Sequence, residues 1–309
     1  MAKIVVYGWY HQSNLGDDLF EEVIPKILPD YTFEFTNHLT EGQIASSDAV
    51  FFGGGSFLDE PIAMDHKHFP LLLNKPIIYI GVGMETQLHS DHKKLLGQAK
   101  LVIPRSLSGV GTFPDLVYAA PRLELSGVAH AKRRVLFIPN VSVLPKRTDP
   151  HWEHAAWNYF KSECSQFLDD LIQEGSEVRF LNACRSTKLD DNWASNEILS
   201  QMVNRERNLI IDQTPSNLEE ALRCFSSYSV VITQRFHGVV LSDLSGVPVV
   251  PIAHHDKLNC DRSLSYYGMS KKLLRGAVES AKVRHPLESN IEAFETVRRM
   301  VQESLSGIT

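Results

Sequence analysis

Cysteine is scarce in this sequence, with four in 309 residues. Cys164, Cys184, Cys224 and Cys260 form no C-x-x-C pair and no metal-ligand spacing. They therefore build neither a disulfide framework nor a zinc site, and they read as the reduced thiols of a cytoplasmic protein. Long apolar runs are also missing, and none approaches the roughly 20 residues that a membrane span needs. The chain opens on a strand-like Lys3–Tyr7, not on a charged segment followed by an apolar one. The expectation is a cytoplasmic protein with no membrane span, although peripheral association stays compatible with the sequence. Positive charge is short too, since 31 Lys and Arg face 37 Asp and Glu for a net charge of −6. A nucleic-acid partner calls for a basic excess and Lys/Arg clustering, so nucleic acid is excluded. No low-complexity tract or internal repeat stands out.

What is present is alternation. Strand patterns at Lys3–Tyr7, Thr32–Phe35, Asp48–Phe52, Pro76–Ile80 and Lys100–Ile103 are separated by stretches of helical character. The spacing predicts helices over Asp17–Leu28, Pro61–Leu73 and His89–Ala99, with a kink at Pro25. Ser108 to Arg134 is irregular and reads as a linker. A second set follows, with strands at Val135–Ile138, Glu177–Leu181, Leu209–Ile211 and Ser229–Thr233 and helices between them. Such alternation implies parallel sheets covered on both faces. The fold class expected is α/β, with two Rossmann-like domains whose sheets face a central cleft in a GT-B-like layout. The expected boundaries are 1–120 for an acceptor-side domain, 121–285 for a donor-side domain, and 286–309 for a terminal amphipathic helix that packs back on the first.

The most informative stretch runs from Val230 to Lys257. A β-branched run turns through Gln234, Arg235, Phe236, His237 and Gly238 into a short apolar helix, and Val247–Ile252 is the strand behind it. This is a βαβ unit whose turn lies at the carboxyl end of a strand, where open α/β sheets bind ligands. An arginine and a histidine beside a helix N-terminus suit an anion such as a phosphate or carboxylate. The alternative is an arginine paired with a local acid and a histidine satisfied in the core. Gly53, Gly54 and Gly55 form an anion-binding nest or a tight turn, the triple glycine favouring close approach of a ligand. Asp59, His66 and His68 follow as acid or base candidates, alongside Asp17. Asn14 and the Trp9–Gln12 run suit sugar hydroxyls, whereas Asp17 and Asp18 also fit an acidic first helical turn.

The Arg-Phe-His-Gly turn, the Gly-x-Pro strand, SNLGDD, FFGGGSFLDE and IGVG together resemble the polysaccharide pyruvyl transferase family. The resemblance implies a transferase that moves pyruvate from phosphoenolpyruvate onto two hydroxyls of a sugar as a cyclic ketal. It implies phosphoenolpyruvate as co-substrate with no cofactor and no metal, and a saccharide acceptor that could be lipid-linked. Donor contacts then fall on Arg105, Arg235, Phe236, His237, Gly238 and Lys257, with His237 as the acid. Asn14, Gly53, Gly54, Gly55 and Gly83 fall to the acceptor or cleft, and the base to Asp17, Asp59, His66 or His68. Ser106 stands where the family pattern carries an aspartate after the arginine. Two rivals differ in kind. A nucleotide-sugar glycosyltransferase of the same architecture would hold the ribose with a glutamate where Leu241 stands. A non-catalytic saccharide-binding protein would not need Arg105, Arg235, His237 and Lys257 together.

Overall fold

The computed structural model describes the chain apart from residues 56, 84–86, 107–113, 121–131, 147–148, 188, 206–208, 212–213, 255–262, 284–288 and 307–309. Its contacts divide it into two compact units, Met1–Ala120 with Leu287–Thr309, and Pro121–Pro286. Lys257 and much of the expected linker lie outside the described residues.

The first unit holds strands β1 (Lys3–Tyr7), β2 (Thr32–Thr36), β3 (Ala49–Gly53), β4 (Ile77–Gly83) and β5 (Leu101–Ser106). All pair in parallel, in the order β2-β1-β3-β4-β5. Strands β3 and β4 are buried at every position, as the runs AVFFG and IIYIGVG require of strands covered on both faces. One face packs on α3 (Glu41–Ser46), α4 (Phe69–Leu73) and α5 (Ser90–Leu96) through Ile44, Leu72 and Leu95. The other carries α1 (Leu15–Asp18) and α2 (Phe20–Ile27), where Ile24 meets Gly53 beside Val6 and Ile80. The terminal helix α11 (Ser289–Leu305) packs against α2 and β5 and buries Phe294, Val297, Val301 and Leu305.

The expected helix at Asp17–Leu28 is broken at Leu19, not at Pro25, which sits inside α2. The expected helix at Pro61–Leu73 is helical only from His66 onward, first as a 3-10 turn and then as α4. Asp65 starts that turn by accepting from the Lys67 N–H.

The second unit has β6 (Arg134–Ile138), β7 (Glu177–Phe180), β8 (Leu209–Ile210), β9 (Val230–Thr233), β10 (Val249–Ala253) and β11 (Leu264–Ser265). Their order is β11-β10-β9-β6-β7-β8, again parallel. Between them run α6 (His151–Gln173), α7 (Asn192–Leu199), α8 (Leu218–Ser226), α9 (Phe236–Leu244) and, after β11, α10 (Lys271–Ser280). Counted from β6, this is the 3-2-1-4-5-6 order of dinucleotide-binding folds, and the first unit has the 2-1-3-4-5 order of flavodoxin-like ones. Both orders reverse at one place, between β1 and β3 and between β6 and β9. A crevice opens there at the carboxyl ends of the strands, because the two crossover helices leave to opposite faces. No helix among the described residues is long and apolar enough to cross a membrane.

Candidate active site

The second unit's switch point is built by the turns after β6 and β9. Arg235 occupies the N-cap of α9 with extended backbone, so its side chain stands at the helix mouth. The Thr233 hydroxyl fixes this turn, accepting from the Arg235 N–H at 2.9 Å and donating to the Arg235 carbonyl at 3.0 Å. Gly238 is dictated by that packing, since a Cβ there would lie 2.2 Å from Thr233 Oγ1 and 2.9 Å from its Cβ. Phe236 and His237 form the first turn of α9, both half-buried, with their rings edge to face at 5.5 Å.

Arg235 is not an isolated cation. Its Nε donates to Asp191 Oδ2 at 3.0 Å and its second terminal nitrogen to Oδ1. Asp191 is fully buried, and its carboxylate also accepts from the Val141 and Cys184 N–H groups, each at 2.9 Å. One carboxylate therefore ties together the turns after β6, β7 and β9 and fixes the guanidinium plane at the switch point. The local-acid pairing left open by the sequence is real. That bidentate partner fixes the orientation of the guanidinium at the mouth of α9. Beside it, Gln234 is 2% exposed and accepts from the Asn140 N–H at 3.2 Å. Its Nε2 is buried with no partner.

In the first unit the switch point lies between the loop after β1 and the glycines after β3. Gly54 and Gly55 have φ of +72° and +78°, the left-handed region in which a side chain is strained. Their missing side chains are replaced by the chain itself. A Cβ on Gly54 would stand 2.8 Å from Phe20 and one on Gly55 3.0 Å from Asp17 Oδ1. Close approach is thus required, and α1 and α2 supply it. Gly53 is packed between Val6 and Ile80, and Gly83 donates its N–H to the Gly55 carbonyl at 2.9 Å. Asn14 stands at the N-cap of α1, but its amide donates to Asp17 Oδ2 at 2.6 Å instead of capping the helix. Asp18 accepts from the His11 N–H at 2.9 Å. Burial, then the neighbouring carboxylates of Asp17 and Glu21, push the Asp18 carboxyl up to about 6. His11 and Ser13, at φ +58° and +53°, hold this loop in strained backbone.

Arg105, at the end of β5, lies over the Phe20 ring at 6.0 Å and donates to Asp115 Oδ2 at 3.0 Å. Asp115 is buried and its Oδ1 accepts from the Val117 N–H, so this arginine too is aimed by a fixed acid. The structure thus brings Asn14 and Gly55 beside Asp17, and Gly54 and Arg105 beside Phe20. It does not bring Asp59, His66 and His68 there. His66 and His68 follow, and Asp59 lies within, the segment whose Phe57, Leu58, Ile62 and Met64 pack on the opposite face of the sheet, where Tyr7 Oη accepts from the Ala63 N–H. Asp59 is exposed, His66 Nε2 lies 3.9 Å from Asp91, and His68 Nε2 lies 3.6 Å from Glu41.

Asp191, Asp115 and Asn140 went unnoticed in the sequence, and Asp18 and Gln234 were read only as parts of a helical turn and a loop. Asp191 and Arg235 are 44 positions apart, and no local pattern links them. The Asp190-Asp191 pair before a helical run was the one available signal. Among the described residues no group of three His, Cys, Asp or Glu side chains could hold a metal ion.

The sequence model of the polysaccharide pyruvyl transferase family matches residues 8–256. No curated protein matches the sequence. Among solved structures, the Escherichia coli ADP-heptose lipopolysaccharide heptosyltransferase II is 12% identical with a TM-score of 0.50, over 90% of this chain and 98% of that one. The UDP-GlcNAc 2-epimerase of Methanocaldococcus jannaschii is 9% identical with a TM-score of 0.54, over 98% of this chain and all of that one. At these identities the likeness shows the fold alone, a two-domain α/β architecture of the GT-B type.

Proposed function

The chain belongs to the polysaccharide pyruvyl transferase family, and from that premise we propose that it transfers pyruvate from phosphoenolpyruvate to two hydroxyls of one sugar as a cyclic ketal. The observation that carries this reading is the placement of Arg235 and His237 at the mouth of α9, at the switch point of the second unit. There a helix N-terminus and an oriented guanidinium suit a phosphate or carboxylate.

The reaction needs one proton delivered and two removed. A sugar hydroxyl adds to C2 of the enol phosphate while C3 gains a proton, and the C2–O bond to phosphate then breaks. The second hydroxyl closes the ketal, and its proton leaves with inorganic phosphate. His237 is assigned the proton to C3, because imidazole changes charge near neutrality. Arg235 is assigned to the donor's phosphate or carboxylate, the phosphate gaining charge as it departs, and Arg105 is added to it on the resemblance alone. Lys257 joins them in this reading on the resemblance alone.

Among the base candidates, Asp17 and its neighbour Asp18 stand at the first unit's switch point, whereas Asp59 is exposed, His66 approaches Asp91 and His68 approaches Glu41. The base is therefore assigned to the Asp17–Asp18 pair. A carboxyl raised to about 6 is suited to accept a hydroxyl proton near neutral pH. Asn14 and the loop after β1 would hold acceptor hydroxyls. The nucleotide-sugar alternative is disfavoured by Leu241, a fully buried apolar side chain of α9 that cannot bond ribose hydroxyls. The test is release of inorganic phosphate from phosphoenolpyruvate. Release that requires a saccharide acceptor supports the reading, and sugar transfer from a UDP-sugar in its place would overturn it.

A further inference from the structure

At the same edge of the second unit's sheet, two strands beyond β9, aromatic side chains gather at the surface. Trp152, in the first turn of α6, is 58% exposed, and Tyr267, just after β11, is 41% exposed. Their rings lie 5.9 Å apart at 49°. His254, just after β10, tilts over Tyr267 at 5.8 Å and meets the Tyr266 ring edge to face at 4.9 Å. Tyr267 Oη donates to both carboxylate oxygens of Glu153 at 3.3 Å, long bonds that a better partner could displace. Tyr266 is 1% exposed, and its hydroxyl is buried without a hydrogen-bond partner. The Tyr266 ring meets the Tyr267 ring edge to face at 5.1 Å, which joins it to this cluster.

An exposed aromatic face beside a carboxylate and an unsatisfied phenol is a combination that folding alone does not favour. Exposed rings forgo burial, and an unmet buried hydroxyl is unfavourable. Sugars complement both features, since the C–H face of a pyranose stacks on aromatic rings and its edge hydroxyls seek a carboxylate. We propose that Trp152, Tyr267 and His254, with Glu153 and the Tyr266 hydroxyl, form a saccharide-binding platform that holds the glycan beside its reacting residue. With parallel strands about 4.8 Å apart, β11 lies roughly 10 Å from β9, so one glycan could span the platform and the Arg235 turn. The inference rests on the saccharide half of the proposed function and not on the pyruvate donor.

The test is binding of the full chain to an immobilised array of neutral and acidic oligosaccharides, with Trp152→Ala, Tyr267→Ala and Glu153→Gln beside the wild type. The wild type should bind a subset of the array. Trp152→Ala and Tyr267→Ala should each weaken that binding about tenfold, the upper range of a single aromatic contact. The melting temperature of Trp152→Ala should not change, because Trp152 is 58% exposed. Array binding that is absent in the wild type, or unchanged in both alanine variants, overturns the platform. So does capture of choline by these rings without any saccharide. Calorimetry with phosphoenolpyruvate on the same preparations keeps the two proposals apart. A protein that binds the array but not phosphoenolpyruvate retains the platform and loses the donor assignment.

Discussion

Replacing Arg235 with alanine removes the counter-ion of Asp191, whose carboxylate is fully buried. Of the four hydrogen bonds that carboxylate accepts, two come from Arg235 and two from the Val141 and Cys184 backbone. Breaking a buried pair from one side costs about 3–5 kcal/mol, because an uncompensated charge remains. The two backbone donors survive, which favours the lower end, about 3 kcal/mol. For a domain of this size that is a fall in Tm of roughly 6–12 °C. A loss of activity in Arg235→Ala alone would therefore say little about donor binding. Arg235→Met combined with Asp191→Asn removes both charges, and it should recover at least half of the lost stability. If Arg235 also contacts the donor, phosphoenolpyruvate affinity should remain down by at least roughly 2 kcal/mol in the double variant. Differential scanning calorimetry and titration calorimetry on one preparation separate the two effects. An Arg235→Ala protein that melts like the wild type would refute the role given to the Asp191 pair. A double variant with wild-type donor affinity would reduce Arg235 to a structural residue.

His237→Ala should lower kcat by about 10²–10⁴-fold while KM for phosphoenolpyruvate moves much less, the pattern of a lost proton donor; a wild-type kcat in steady-state assays would contradict it. Gly238→Ala drives a methyl into Thr233, so denaturant titration should show a loss of at least about 1–3 kcal/mol, and unchanged stability would contradict the packing. His92, fully buried in the first unit with Nδ1 3.1 Å from Tyr79 Oη, is pushed down to about 4 by burial. The unfolded chain therefore takes up that proton first, and stability present above pH 6.5 should be lost as pH falls toward 4, by up to about 3 kcal/mol. His92→Leu should flatten this slope in pH-dependent melting, and an unaltered slope would exclude His92 as its source.

The sheets were legible because their strands are short β-branched or aromatic runs bounded by glycine, as in AVFFG and VVIT. Such runs leave little choice once helices separate them. The short helix α3 was not legible, because six residues with one buried side chain, Ile44, carry almost no periodicity. Its signal was the reciprocal cap between Thr40 and Gln43. Arg235, His237 and Arg105 were legible as strand-end residues, but the aspartate partners of the two arginines were not, since pairing across a sheet edge leaves no mark in local sequence. Gly54 and Gly55 were read toward a ligand, yet the side chains that approach them are Phe20 and Asp17. His66 and His68 were placed near the site by sequence proximity to Gly55. The side of a sheet taken by a connecting segment depends on its packing, and here Ile62 and Met64 carry the segment to the face of Tyr7.

The central claim, that an anionic three-carbon donor binds at the Arg235–His237 turn, meets its most direct test in titration calorimetry of the full chain with phosphoenolpyruvate and, separately, with a UDP-sugar. The account predicts saturable binding of phosphoenolpyruvate, weakened at least tenfold in Arg235→Lys because an ammonium cannot reproduce the guanidinium fork, and no binding of the UDP-sugar. Micromolar binding of the UDP-sugar with none of phosphoenolpyruvate would contradict it.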